Sequence, residues 1–279
     1  MPKQIIPVEN WPDFERQIRQ LNLVPGDQAR ASHRPPLFRG LANADWGLET
    51  TLERSHPNER CDATLSLRRY YEKIFAARSA VETFSGRKWG ILPLPPEFEL
   101  LLADRGLSWL DIKMNTQPEI YEYLVYLRHH GFPSPLLDWT VSPYVAALFA
   151  FDKVADHAQH VCVYAVLPSP GAGSSHEHCY FVGPYMRTHQ RHHLQQCWYS
   201  MCVGRDESGK DYLFQPQESV MKSDFGPAKQ LLKFTIPIGE RRIALQHLDL
   251  MNINPFSLFA SEDSLVSTIA RRECLFKRW

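Results

Sequence analysis

The 279-residue chain predicts a single mixed α+β domain over residues 35–279, a small twisted sheet with surrounding helices, preceded by an N-terminal extension over 1–34. Three observations predict this class. Several segments with helical spacing carry their own start and stop residues, two β-branched runs follow residue 160, and no internal repeat or composition break divides the chain.

Pro25-Gly26 and Arg34-Pro35-Pro36 bracket a loop, so residues 37–40 read as a strand running into a turn. Residues 62–84 read as a long helix: Asp62 is its N-cap, Leu65, Leu67, Tyr70, Tyr71, Ile74, Ala77 and Val81 form an apolar face, and Gly86 follows its end. The run GILPLPP from Gly90 cannot be regular helix, because its prolines lack the donor a helix needs. Thr116 with Glu119 makes a capping box for a helix carrying Ile120, Tyr123, Leu124 and Leu127, which stops near His130-Gly131. Ser142 caps the next helix, residues 143–152, whose nearly unbroken apolar surface predicts burial. Residues 160–167 and 231–237 alternate β-branched and aromatic side chains and read as strands. Residues 168–226 between them have little periodicity and suit a site built from loops, and helices are expected over 239–252 and 261–271.

Composition narrows the function. Lys plus Arg balance Asp plus Glu at 31 each, which argues against a protein that coats nucleic acid through its overall field. No apolar run approaches the roughly 20 residues a membrane span needs, and the start is acidic and aromatic too early for a signal peptide, so the cytoplasm is the expected compartment. The six cysteines include no C-x-x-C pair and read as reduced thiols. Charge is uneven locally, however. From His178 to Arg205 there is no acidic residue, while Arg187, Arg191, Arg205 and four histidines fall in that span, a candidate surface for a polyanion.

Two constellations could carry chemistry. Arg39 closes the first strand beside Gly40, where a planar guanidinium can clamp a phosphate or carboxylate and a glycine lets a ligand near the backbone; the structural alternative is an internal ion pair. The block HHGFPSPLLDWTVSPYVAALFAF, from His129 to Phe151, sets Asp138, Trp139 and Thr140 at an apolar strand-to-helix junction, where polar atoms need partners. Capping of backbone groups is the plain role for Asp138 and Thr140. The tract with His176, His178, Cys179, His189, His192 and His193 could supply metal ligands, but its spacing matches no standard zinc module and no metal site is expected from it.

Phe38-Arg39-Gly40 and the block ending LLDWT resemble the FRG domain, and Arg191 to Ser200, the run LLKFTIP and the run MNINPFSLF are similar to its later parts. The sequence departs from the family pattern at Arg128, Pro135 and Cys197, where Gln, Arg and Gly are usual. More distantly, Arg39-Gly40, then Asp138-Trp139-Thr140 with the Ala147-Leu148-Phe149-Ala150 helix, resemble the motif order of Arg-Ser-Glu type ADP-ribosyltransferases. That resemblance implies an ADP-ribosyltransferase-like core and NAD as co-substrate, for an ADP-ribosyltransferase or an NAD glycohydrolase. It also implies an effector, a bacterial toxin or anti-phage component, with a protein or nucleic-acid target and an antitoxin or regulatory protein as partner, which the N-terminal extension could dock.

Cleaving the nicotinamide–ribose bond develops oxocarbenium character, so the site needs a cationic clamp, an aromatic surface and a ribose-side polar group. Arg39 and Gly40 would serve the first. Trp139, Tyr144 or Trp198 would serve the second, with Asp138 beside them and Thr140 holding the strand. Glu218 or Gln196 would be the third, with Glu273 a weaker candidate. Two other classes remain open: a non-catalytic module binding a nucleotide or partner, and a metal-dependent hydrolase or nuclease using the histidines.

Overall fold

The computed structural model describes residues 4–22, 35–54, 66–91, 118–167, 179–183, 190–205, 212–223 and 231–277. Within them the chain runs β1 (Gln4–Pro7), α1 (Trp11–Asn22), β2 (Leu37–Leu41), α2 (Thr51–Arg54), α3 (Leu67–Ser85), α4 (Pro118–His129), β3 (Leu137–Thr140) and α5 (Pro143–Asp152). It continues through β4 (His160–Val166), β5 (Cys179–Val182), α6 (Gln190–Leu194), β6 (Cys197–Arg205), β7 (Tyr212–Phe214), α7 (Gln217–Ser223) and β8 (Leu231–Pro237). It closes with α8 (Arg241–Leu250), α9 (Pro255–Phe259) and α10 (Glu262–Ala270), followed by a π-helical turn over Arg271–Phe276.

Eight strands form one sheet in the order β1-β8-β4-β2-β3-β6-β5, with β7 on β6. The α+β class holds, and the sheet is larger than expected because β5, β6 and β7 come from residues 168–226, where periodicity is weak. The reason is visible in β6: Tyr199, Ser200, Met201, Cys202 and Val203 are all buried, so both faces of the strand are covered and no period-two alternation appears.

Helix ends follow local chemistry. Ser142 accepts from Val145 N–H at the start of α5, with Pro143 at the first helical position, as the sequence predicts. Gly86 ends α3 with φ 68° and donates to Glu82 O. The described start of α3 is capped by Ser66, whose hydroxyl accepts from Arg69 N–H; Asp62 and Thr116 lie outside the described residues.

Three apolar layers position the sheet. On one face of β2, β4 and β8, helices α1, α5 and α8 bury Trp11, Phe14, Phe151 and Leu245. On the other face lie Leu37, Trp139, Tyr164 and Met221, and α3 with α4 covers the β6 half. The described part of the N-terminal extension belongs to this packing: β1 pairs with β8 in parallel and Trp11 is fully buried. No helix among the described residues is long and apolar enough to cross a membrane.

Candidate functional site

The sheet is nearly divided at its centre. β2 keeps five register pairs with β4 and β3 keeps four with β6, yet β2 and β3 share only Phe38 opposite Thr140. Beyond that pair the strands part, and a cavity of about 230 Å³ opens between Arg39–Ala42 on one lip and Asp138–Thr140 on the other. Trp46, Phe149, Gln195 and Cys197 complete the wall.

Arg39 spans the gap. Its Nη1 donates to Asp138 O at 2.8 Å, where the ladder between strands has stopped, and lies 3.0 Å from Asp138 Oδ1. Arg128, arriving from α4, donates Nη2 to the same Oδ1 and Nη1 to Thr51 Oγ1. The two guanidiniums are about nine-tenths buried and the Asp138 side chain is 44% exposed. Burial alone would raise the Asp138 carboxyl, but Arg128 and Arg39 outweigh it and hold the group well below the usual carboxylate range. Burial pushes Arg39 below its ordinary value; Asp138 opposes this, while Arg128 and Arg54 add to it. Two guanidiniums thus share one carboxylate, and Arg54 adds to the positive field at Arg39. Arg39 Nε is buried with no hydrogen-bond partner among the described residues.

Gly40 serves a purpose the sequence did not suggest. A Cβ there would meet Ala146 O at 1.8 Å and Ala150 N at 2.8 Å, so the glycine lets α5 pack directly on β2. Thr140 takes the capping role: its Oγ1 accepts from Ser142 N–H at 3.1 Å, and the side chain is buried. Trp139 borders the cavity, but it is 1% exposed and its Nε1 donates to Ser200 Oγ at 2.7 Å, so its indole turns inward. Tyr144 packs beside Trp11 and Trp198 against Gly183; neither lines the cavity.

The ribose-side candidates also fall elsewhere. Glu218 lies in α7, where Oε2 accepts from Leu48 N–H at 3.2 Å, and Glu273 pairs with Lys277 on the surface. Gln196 is exposed with φ 51°, whereas its neighbour Gln195 is buried in the cavity wall, donating Nε2 to Leu258 O. The structure therefore brings together Arg39, Gly40, Asp138, Trp139 and Thr140 from the sequence-predicted set, with Trp46, Phe149 and Gln195 added in the wall and Arg128 behind Asp138. Of these, Arg128 carried a signal, because it stands where the FRG pattern has Gln.

Where it is described, the basic and histidine-rich tract is partly engaged internally, while His193 and Arg205 are exposed. His192 is buried and stacked on Tyr199, whose hydroxyl also meets His129 Nε2 at 3.1 Å. Arg191 and Arg205 lie over the rings of Phe259 and Tyr212. His176, His178, Arg187 and His189 lie outside the described residues, and no metal-holding cluster occurs among those described. The five cysteines described are all free thiols.

Comparison with protein-family models matches residues 34–159 to the FRG domain. The match contains β2, β3, α5 and the Arg39–Asp138–Arg128 group, so the resemblance read from Phe38-Arg39-Gly40 and Leu136–Thr140 holds over that stretch. The similarities read after Gln159 lie beyond it. No curated protein and no solved structure matches the chain.

Proposed function

We propose that the cleft between β2 and β3 takes the diphosphate of NAD, and that the protein is an ADP-ribosyltransferase-like effector modifying a protein or nucleic-acid target. One observation carries this reading: Arg39 is buried at the cavity wall with an Nε that has no partner among the described residues, where it and Arg128 share the single carboxylate of Asp138 and Arg54 adds positive charge at Arg39. A buried, unsatisfied donor in a positive cleft is costly unless an anion completes it. NAD would supply an ADP-ribosyl group whose bond to nicotinamide breaks as a target nucleophile takes its place. The chain's part is to clamp the phosphates through Arg39, to keep that guanidinium in place through Asp138, and to limit water access through Phe149 and Trp46.

A second reading, a nucleotide-binding module without chemistry, is favoured by the position of the carboxylates. Asp138 is held by two guanidiniums, and Glu218 is turned to the backbone of Leu48 rather than to the cavity. Incubation with NAD labelled in its adenylate part, together with bacterial protein and RNA, separates the two. Nicotinamide release or labelling that Arg39→Ala abolishes supports the transferase; saturable NAD binding with neither supports the module. Absence of binding removes both.

A further inference from the structure

Residues 42–48 form a loop without regular structure, yet its backbone is held at nearly every step. Ala42 O accepts from Ala155 N–H, Ala44 N–H donates to His160 O at 2.8 Å, and Trp46 N–H donates to Asn43 O. Three side chains reach it from the sheet and α7. Lys233 Nζ, on a residue only 5% exposed, donates to Ala44 O and to Trp46 O at 3.4 Å. Tyr164 Oη donates to the same Trp46 O at 3.2 Å, and the Lys233 ammonium sits 5.1 Å from the Tyr164 ring centroid. Glu218 Oε2 accepts from Leu48 N–H, and the carboxylate packs so closely that a Cβ on Gly47 would fall 2.8 Å from it.

Burying an ammonium and a phenol, and half-burying a carboxylate, under one short loop is expensive unless each is satisfied. Here they are spent on fixing the backbone on both sides of one residue. That residue, Trp46, is 46% exposed and lines the cavity with Arg39. An open indole on a fixed loop beside the Arg39 guanidinium has the form of a stacking wall, since a planar ring gains attraction from any aromatic ring laid against it. Phe149, the other exposed aromatic in the wall, is already packed edge-on by Phe259.

Resting on the anion-binding reading of the cleft, we propose that Trp46 is the wall that stacks an aromatic base, and that Lys233, Tyr164 and Glu218 are its positioning residues. The site then selects phosphorylated ligands that carry a planar ring over bare phosphates. Glu218 acts through the loop and does not touch the reacting bond.

Calorimetric titration of NAD and of inorganic pyrophosphate into the full chain tests this. Trp46→Leu is expected to weaken NAD about 10- to 100-fold, the range for loss of one base–aromatic stack, while leaving pyrophosphate within about twofold; Trp46→Phe should restore most of the loss. Lys233→Met and the milder Tyr164→Phe should weaken NAD in the same direction, and neither should add to Trp46→Leu when combined with it, because both act through the same ring. Unchanged NAD affinity in Trp46→Leu overturns the inference while the cleft reading stands. Additive losses in the double variants overturn the positioning role. Failure of the wild type to bind either ligand overturns the cleft reading and, with it, this inference.

Discussion

Arg39 and Asp138, 99 residues apart in the chain, meet twice: the guanidinium of Arg39 binds both the backbone oxygen and the carboxylate of Asp138. One side chain thus bridges the two halves of the sheet at the point where their ladder stops. Arg128 fixes the carboxylate from the other side.

Removing the carboxylate leaves two buried guanidiniums facing each other. Asp138→Asn is expected to destabilise the fold by roughly 1–3 kcal/mol, below the ~3–5 kcal/mol of a fully buried pair because Asp138 keeps 44% of its exposure. It should at the same time tighten pyrophosphate, since the excess positive charge rises. Urea melts and a pyrophosphate titration of the same variant check both; weaker pyrophosphate binding by a folded variant would show that the hold of Asp138 on Arg39 matters more than the negative charge it brings to the cleft.

The same group sets an acid limit. Its carboxyl lies lower in the folded state than its ordinary value of 3.8, so its stabilisation is present above that value and is lost as pH falls through it toward the folded value. Urea midpoints followed from pH 6 to pH 2 should therefore drop more steeply for the wild type than for Asp138→Asn below about pH 4. Parallel curves would rule out this linkage.

Gly40→Ala tests the close contact between β2 and α5. The new Cβ meets two backbone atoms that cannot swing aside, so the expected loss is about 3 kcal/mol or failure to fold. A variant that melted like the wild type but lost NAD would return Gly40 to a ligand-approach role.

Thiol chemistry offers a fourth probe. Burial first, with the Asp138 charge next, pushes the Cys197 thiol up to about 12, whereas Cys274 is exposed. Iodoacetamide at pH 8 followed by peptide mass spectrometry should modify Cys274 and leave Cys197 intact in the native protein, since the thiolate is the reacting form. Rapid labelling of Cys197 would mean that the cavity wall opens.

The elements with strong local signals were legible from sequence. The α5 cap at Ser142, the α3 stop at Gly86, the β2 strand and the β4 and β8 runs all stand where spacing and turn chemistry put them. The strands between residues 168 and 226 were not, because β6 is buried on both faces and loses its alternation. At the site, Arg39 and Asp138 were each legible as polar residues in apolar surroundings, but not as partners of one another. Trp46 was not: an Asn-Ala-Asp-Trp-Gly loop looks like any surface turn, and only the distant Lys233, Tyr164 and Glu218 reveal that it is held. Gln195 and Gln196 are adjacent and chemically identical, and the positive φ at Gln196 that decides which one faces the cavity leaves no trace in the sequence.

The near-division of the sheet also limits how this site can be moved or shortened. The FRG match ends at Gln159, one residue before β4 begins, so it contains both lips of the cleft but none of the strands β4, β6 and β8 that hold them apart. A fragment cut at those borders would leave β2 with a single partner residue and an open edge where five register pairs with β4 belong, the kind of edge that recruits other chains. The unit of homology is smaller than the unit of folding, and grafting the cleft onto another scaffold requires the sheet out to β8.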